Sequence, residues 1–173
     1  MNGSDFVGFV TLEDTLYDRL QVRDADGQPV TPDAAPTFRV YGPSGLLANA
    51  GGVASLGHTG VVTGASNATP IVITSAAHGL ATGQRVTVAS VGGNTAANGT
   101  WIITRVSADT FSLNTSVGNG SYTSGGTWSV VGLYVAALAC TGANGYEAGE
   151  TFFAHYAWAV TTARAEVHGF CVT

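Results

Sequence analysis

The sequence predicts an all-β protein in which one small β-unit is inserted into another, a β-sandwich. Short apolar runs alternate with a period of two residues, the pattern of half-buried strands. Turn residues separate these runs, and the chain has 24 glycines among its 173 residues. Charged residues make up only 10% of the chain, against about 25% in an average protein. No stretch keeps a helical period over three turns, so the sequence favours strands throughout.

The first part of the chain is predicted to form three strands. They cover Phe6–Val10, Leu16–Arg23 and Thr37–Tyr41. Asp26-Gly27 beside Pro29, and later Gly42-Pro43-Ser44-Gly45, provide strong turn chemistry between and after them.

The last part has the clearest strand pattern. Leu133–Ala139 is apolar, and Arg164–Thr173 is expected to return as a closing strand after a hairpin loop at residues 161–163. Between them, 152–160 alternates. One face carries Phe152, Ala154, Tyr156, Trp158 and Val160. We expect that face to lie in the core, and Phe153 to point away from it.

Neither flank has enough strands to bury its apolar face alone. Together they provide about seven strands, which predicts one discontinuous sandwich formed by residues 1–62 and 132–173. The run Asp24-Ala25-Asp26-Gly27-Gln28-Pro29-Val30, followed by Phe38-Arg39-Val40-Tyr41-Gly42-Pro43-Ser44-Gly45, resembles bacterial and phage immunoglobulin-like domains. That resemblance implies an immunoglobulin-like β-sandwich. The remaining residues, 63–131, are expected to form a module inserted in one of its loops, where insertions are tolerated.

The central segment contains its own set of strands and turns. Strands are expected at Pro70–Thr74, Arg85–Ala89, Trp101–Val106 and Thr110–Leu113, with a polar loop at Asn94–Gly99. The segment reads His78-Gly79-Leu80-Ala81-Thr82-Gly83, then Gly92-Gly93-Asn94-Thr95, and ends in Gly125-Gly126-Thr127-Trp128. With these motifs in this order it resembles a module repeated in bacteriophage virion and tail proteins. It is also distantly similar to the small β-barrel half-domain of ubiquitin-activating enzymes.

The resemblance implies a structural protein of a phage particle. It carries no activation chemistry, because the segment has no cysteine and no phosphate-binding loop. Fold resemblance alone does not transfer function.

Charge and composition exclude several partners. The chain has no lysine, and its six arginines are scattered in a chain of net charge −5, so we expect no nucleic-acid binding. Met1–Phe6 has no signal-peptide pattern, and the apolar run Val130–Cys140 is too short for a bilayer. We therefore expect a protein made in the host cytoplasm without membrane contact, and the resemblance implies that it is located in the virion. So few charges favour a protein that works in an assembly.

Candidate catalytic or metal-binding residues are few. His78 in its turn is expected to bond nearby backbone, and His58 to be a loop residue. His155 and His168 could lie close across the closing hairpin, but zinc needs three or four ligands. Glu147 and Glu150 are expected to be solvated turn acids rather than a paired-carboxylate site. We predict no catalytic, cofactor-binding or metal residues, and no enzyme activity.

Cys140 and Cys171 are the only cysteines. They are expected to be two buried structural thiols or, alternatively, a disulfide within or between subunits that forms in oxidising surroundings.

The functional expectation is a non-enzymatic virion protein. We expect a capsid decoration protein that binds the major capsid protein in many copies or as a homo-oligomer, with Phe153 as a possible subunit contact. A neck or tail protein is an alternative. A glycan-binding adhesion module is another, which exposed Trp101, Trp128 or Trp158 would support.

Overall fold

The computed structural model describes residues 5–24, 26–160 and 162–172, with side chains described outside 5–10, 48–50 and 162–172. Within these residues the chain is all-β, as predicted, with fifteen strands and two 3-10 helices of three residues each. It divides into two compact units, residues 1–55 with 132–173, and residues 56–131. The predicted border between flank and insert lay at residue 62. The structure instead assigns residues 56–62 to the second unit.

The first unit is a β-sandwich of two sheets. The strands of its five-stranded sheet, in spatial order, are β1 (Asp5–Val10), β15 (Thr162–Val172), β14 (Thr151–Val160), β3 (Thr37–Gly42) and β4 (Gly45–Val53). Those of its three-stranded sheet are β2 (Asp14–Gln21), β13 (Leu133–Cys140) and β5 (Ser55–Leu56). The pairs β2–β13, β15–β14, β14–β3 and β3–β4 are antiparallel, and β1 pairs with β15 in parallel. The predicted hairpin loop is shorter than expected, because β15 already begins at Thr162, and Thr161 lies outside the described residues.

One apolar core fills the space between these two sheets. It takes alternate residues from strands of both sheets, because successive side chains on a strand point to opposite faces. The buried members are Leu20, Val22, Phe38, Val40, Ala54, Tyr134, Ala136, Leu138, Cys140, Tyr146, Phe152, Ala154 and Tyr156. The alternation predicted for 152–160 is confirmed, with Trp158 and Val160 packed partly buried at its end.

The second unit is a single antiparallel sheet that curves until its two end strands adjoin. Its strands, in spatial order, are β6 (Thr59–Val61), β12 (Thr127–Val130), β9 (Arg85–Ala89), β10 (Gly99–Arg105), β11 (Thr110–Leu113), β8 (Ile71–Thr74) and β7 (Gly64–Ala65). The two end strands are consecutive in the chain. The amide of Val62 donates to the carbonyl of Gly126, next to β12 at one end of the sheet. The amide of Thr63 donates to the carbonyl of Thr74 on β8, at the other end. The sheet therefore closes as a small barrel with no long open edge.

The barrel interior is apolar, and the amide side chains of the buried Asn94 and the exposed Asn98 bond backbone groups of the loops beside it. Asn94 is buried, donates to the carbonyl of Ser66 and accepts from the amide of Asn119. The side chain of Asn98 both accepts from and donates to the backbone of Val91. The polar loop expected at 94–99 is thus held by its own amide side chains, which satisfy backbone groups that would otherwise be unpaired.

Candidate functional site

Exposed apolar side chains form a row across the five-stranded sheet, on the side that points away from the core. Phe153 on β14 lies directly opposite Tyr41 on β3, and Tyr41 lies opposite Leu46 on β4. Paired residues in a sheet project from the same face. Their side chains are 40%, 37% and 49% exposed, respectively. Backbone pairing extends the row to Gly169 and Phe6, whose side chains lie outside the described ones.

Strand alternation explains why Phe153 is outside although the neighbouring Phe152 is wholly buried. Phe152 packs on Tyr146, with ring centroids 4.9 Å apart. Its ring also fills the space beside Gly42, where a Cβ would approach within 2.8 Å. Because Phe152 occupies the core side, the pleat directs Phe153 outward. The prediction that Phe153 lies opposite the core face is therefore confirmed, and its role as a subunit contact stays a prediction.

The charges around this row are few and of one sign. Arg39 on β3 is exposed and lies opposite the half-buried His155 on β14. The next row continues with Ala157, Thr37 and Val53, all exposed. Among the described residues on this face of β3, β4 and β14 there is no carboxylate. We call the surface that these paired residues form the outer face. It consists of Phe153, Tyr41, Leu46, Arg39, His155, Ala157, Thr37 and Val53.

A hollow opens beside the outer face, where β4 departs from β3. Pairing jumps from Tyr41–Leu46 to Arg39–Gly51, so four residues of β4 bulge opposite one residue of β3. A cavity of about 620 Å³ lies there. The residues around it are Thr37, Phe38, Arg39, Leu46, Leu47, Gly51, Gly52 and Val53. Arg39 and Leu46 therefore border both the hollow and the apolar row.

His78 is a structural residue of the barrel, as predicted. It is 2% exposed, and its Nδ1 accepts a hydrogen bond from the amide of Leu80 at 3.0 Å. Its Nε2 lies 3.2 Å from the carbonyl oxygens of both Ser107 and Thr110. A carbonyl only accepts, so Nε2 carries the proton and the ring is neutral. Both nitrogens are used by backbone, which leaves none for a metal or a substrate.

The remaining histidines and acids do not converge. His58 is half-buried and packs edge-on against Trp128, 5.1 Å away. His155 pairs with Val167 while His168 pairs with Ala154, so the two histidines occupy adjacent rows of the hairpin. The side chain of His168 lies outside the described ones. No group of three potential metal ligands occurs in the described part of the chain.

Glu147 is exposed, and the amide of Glu150 bonds the Glu147 carbonyl in a turn before β14. This placement agrees with turn acids.

The two cysteines lie near one end of the sandwich along the backbone. Cys140 is the last residue of β13, and Cys171 pairs with Thr151, the first residue of β14. Cys140 is a buried free thiol that donates to the carbonyl of Leu138, and burial raises its pKa. Cys140 is therefore reduced in this structure. The side chain of Cys171 is outside the described ones, and a Cys140–Cys171 disulfide that forms in oxidising surroundings stays a prediction.

The tryptophans do not form an exposed platform in the structure. Trp128 is 2% exposed and donates to Ser75 Oγ at 2.8 Å. Trp101 and Trp158 are half-buried. The exposed aromatic side chains described in the first unit are Tyr17, Tyr41 and Phe153.

Phe153 was predicted from the sequence, but its neighbours Tyr41, Leu46 and Arg39 were not. Tyr41 was placed on the correct strand, so its outward position could have been inferred from the alternation with Val40. Leu46 could not, because its strand was not predicted.

No protein-family model matches the chain, and no similar protein was found among curated sequences. Within the described residues no helix is long and apolar enough to cross a membrane.

Proposed function

We propose that this chain is a non-enzymatic structural protein of a tailed-phage virion, a capsid decoration protein that binds the major capsid protein in many copies. The observation that carries the proposal is the outer face around Phe153, Tyr41 and Leu46. Exposed apolar side chains that adjoin across several strands are typical of a surface that another protein covers. An open sheet face of a sandwich otherwise carries polar residues.

Composition supports the same proposal. With six basic and eleven acidic residues in 173, the chain has few charges to keep a free monomer in solution. A protein that decorates a lattice adds a small interface at each of many sites, and the number of sites compensates for weak single contacts. The inserted module resembles repeated modules of phage virion and tail proteins, and this resemblance supports a phage particle as the assembly.

The test is to purify virions of the phage that encodes the chain and to locate it by cryo-electron microscopy. We expect copies distributed over the capsid shell. A ring or a few copies at the neck or tail would move the protein to the connector or tail class. Absence of the chain from the particle would reject the proposal.

Two matched variants test whether the protein binds the particle through the outer face. Phe153→Ser changes the outer face, whereas Tyr17→Ser changes an aromatic residue that is 69% exposed on the other sheet of the same unit. We expect Phe153→Ser to lower the occupancy of the protein on particles and Tyr17→Ser to leave it unchanged. Equal occupancy of both variants would contradict the assignment of the contact to this face.

Glycan binding is the second candidate, favoured by the adjacent exposed rings of Tyr41 and Phe153. The buried Trp128 and half-buried Trp101 and Trp158 do not provide the exposed tryptophans that would have supported this alternative. Glycan-array binding by the purified chain that is lost in Phe153→Ser would favour adhesion over decoration.

A further inference from the structure

We propose that the outer face binds an apolar segment of a partner protein other than a second copy of this chain, and that a carboxylate of that segment pairs with Arg39. This inference rests on the proposed function, because it names the chemistry of the partner at the same surface. The observations that carry it are the charge of the face, its size and the hollow beside it.

A partner that covers this face would need an acid to pair with Arg39. Arg39 is exposed between His155 on one neighbouring strand and Gly51 on the other, and no ion pair joins it to any described residue. The outward positions described around it hold no carboxylate. A guanidinium that becomes covered by an apolar partner without a counter-charge is strongly destabilising. A carboxylate can accept two parallel hydrogen bonds from the guanidinium group.

The same charge argues against self-association through this face. A twofold packing of the face on itself would bring the two copies of Arg39 into one interface. The area is also small. The outer face spans three strands about 4.8 Å apart and about five residues long, roughly 150–250 Å² per copy, whereas a stable interface buries about 800 Å² per partner.

The hollow beside the outer face provides a second binding feature, a cavity for a side chain of the partner. It has a volume of about 620 Å³ and adjoins Arg39, Leu46 and Val53. Gly51 and Gly52 line it without side chains, which leaves room for one apolar side chain of the partner next to its carboxylate. A segment with an aromatic or aliphatic residue beside an acidic group therefore fits both features.

The experiment uses the full chain labelled with ¹⁵N and two small probes. N-acetyl-phenylalaninate carries a ring and a carboxylate, and N-acetyl-phenylalaninamide is its neutral match. We expect chemical-shift changes at Arg39, Leu46 and Phe153, with the acid binding about fivefold more tightly than the amide. Arg39→Gln should retain the fold and remove the difference between the probes, while Arg23→Gln, also exposed in the first unit, should keep it.

Equal binding of the two probes, or shift changes confined to other surfaces, would overturn the inference. So would sedimentation that shows a dimer which Phe153→Ser dissociates, since the face would then belong to a second copy. These results are separable from the location of the protein. Acid-selective binding by a chain absent from virions rejects only the proposed function, and a virion protein without acid preference rejects only this inference.

Discussion

Replacement of His78 by phenylalanine is the sharpest test of the structure of the barrel. The change keeps an aromatic ring, somewhat larger than imidazole, next to Phe111, which lies 5.1 Å from the imidazole. It removes both ring nitrogens. The buried amide of Leu80 then loses its acceptor, and the carbonyls of Ser107 and Thr110 lose a donor.

The expected cost follows from these lost bonds. A buried donor without a partner costs about 1–3 kcal/mol, and the net loss of an ordinary hydrogen bond costs about 0.5–1.5 kcal/mol. The carbonyl of Thr110 keeps bonds from the amides of Val106 and Ser107, so its loss is small. With no cavity created, His78→Phe should reduce the free energy of unfolding of the barrel by about 2–4 kcal/mol.

The assay is guanidinium unfolding of the full chain followed by tryptophan fluorescence. A Trp158→Phe background leaves Trp101 and Trp128, both in residues 56–131, so the signal reports the second unit. His58→Phe is the matched control. His58 is half-buried and contacts Trp128, and its side chain makes no hydrogen bond within the described residues.

We expect the control to change stability by no more than about 0.5 kcal/mol. If His78→Phe also changes it by less than that, the imidazole does not hold the turn and the reasoning is wrong.

Three further predictions concern single sites. Gly60→Ala should destabilise the barrel by about 1–3 kcal/mol, measured by calorimetry, because its Cβ would lie 2.5 Å from the ring of Trp128; an unchanged melting temperature would contradict that packing. In a Cys171→Ser background, burial and the raised pKa of Cys140 should make thiol labelling slow in the native protein and fast after unfolding; rapid native labelling would place Cys140 at the surface. Burial also raises the pKa of Tyr146, so its contribution to stability should be complete below the unfolded value of about 10 and decline above it as the unfolded phenol ionises; denaturation midpoints measured across this range should fall less in Tyr146→Phe, and an identical decline would refute the assignment.

The elements that could be predicted from the sequence are those whose residue pattern lies within one short segment. Residues 152–160 alternate large and small side chains, and Phe152, Ala154 and Tyr156 are buried as that period requires. The turn at Asp26-Gly27 and the strands β8, β9, β10 and β11 of the inserted module were likewise apparent from local residue chemistry, whereas β6, β7 and β12 were not predicted. In each case the information lies within about ten residues of chain.

Strand β4 could not be predicted in the same way. Its sequence, Gly45 to Val53, is rich in glycine and alanine, residues with low strand propensity. It forms a strand because β3 offers a partner and because Gly51 and Gly52 permit close approach to Phe38, where a Cβ would lie 2.9 Å from the carbonyl of Phe38 in one case and 3.2 Å from its ring in the other. Tertiary pairing overrides local propensity here, and with it the neighbours of Phe153 were missed.

Strand period and turn chemistry are local properties, so they were enough to predict the class of fold, an inserted unit and the outward direction of Phe153. That residues 59–66 close the barrel, by pairing with β12 and then with β8, is visible only in the folded chain. So is the adjacency of Tyr41, Leu46 and Arg39 to Phe153. Register between distant strands depends on the whole set of paired backbones and packed side chains, which no single segment contains.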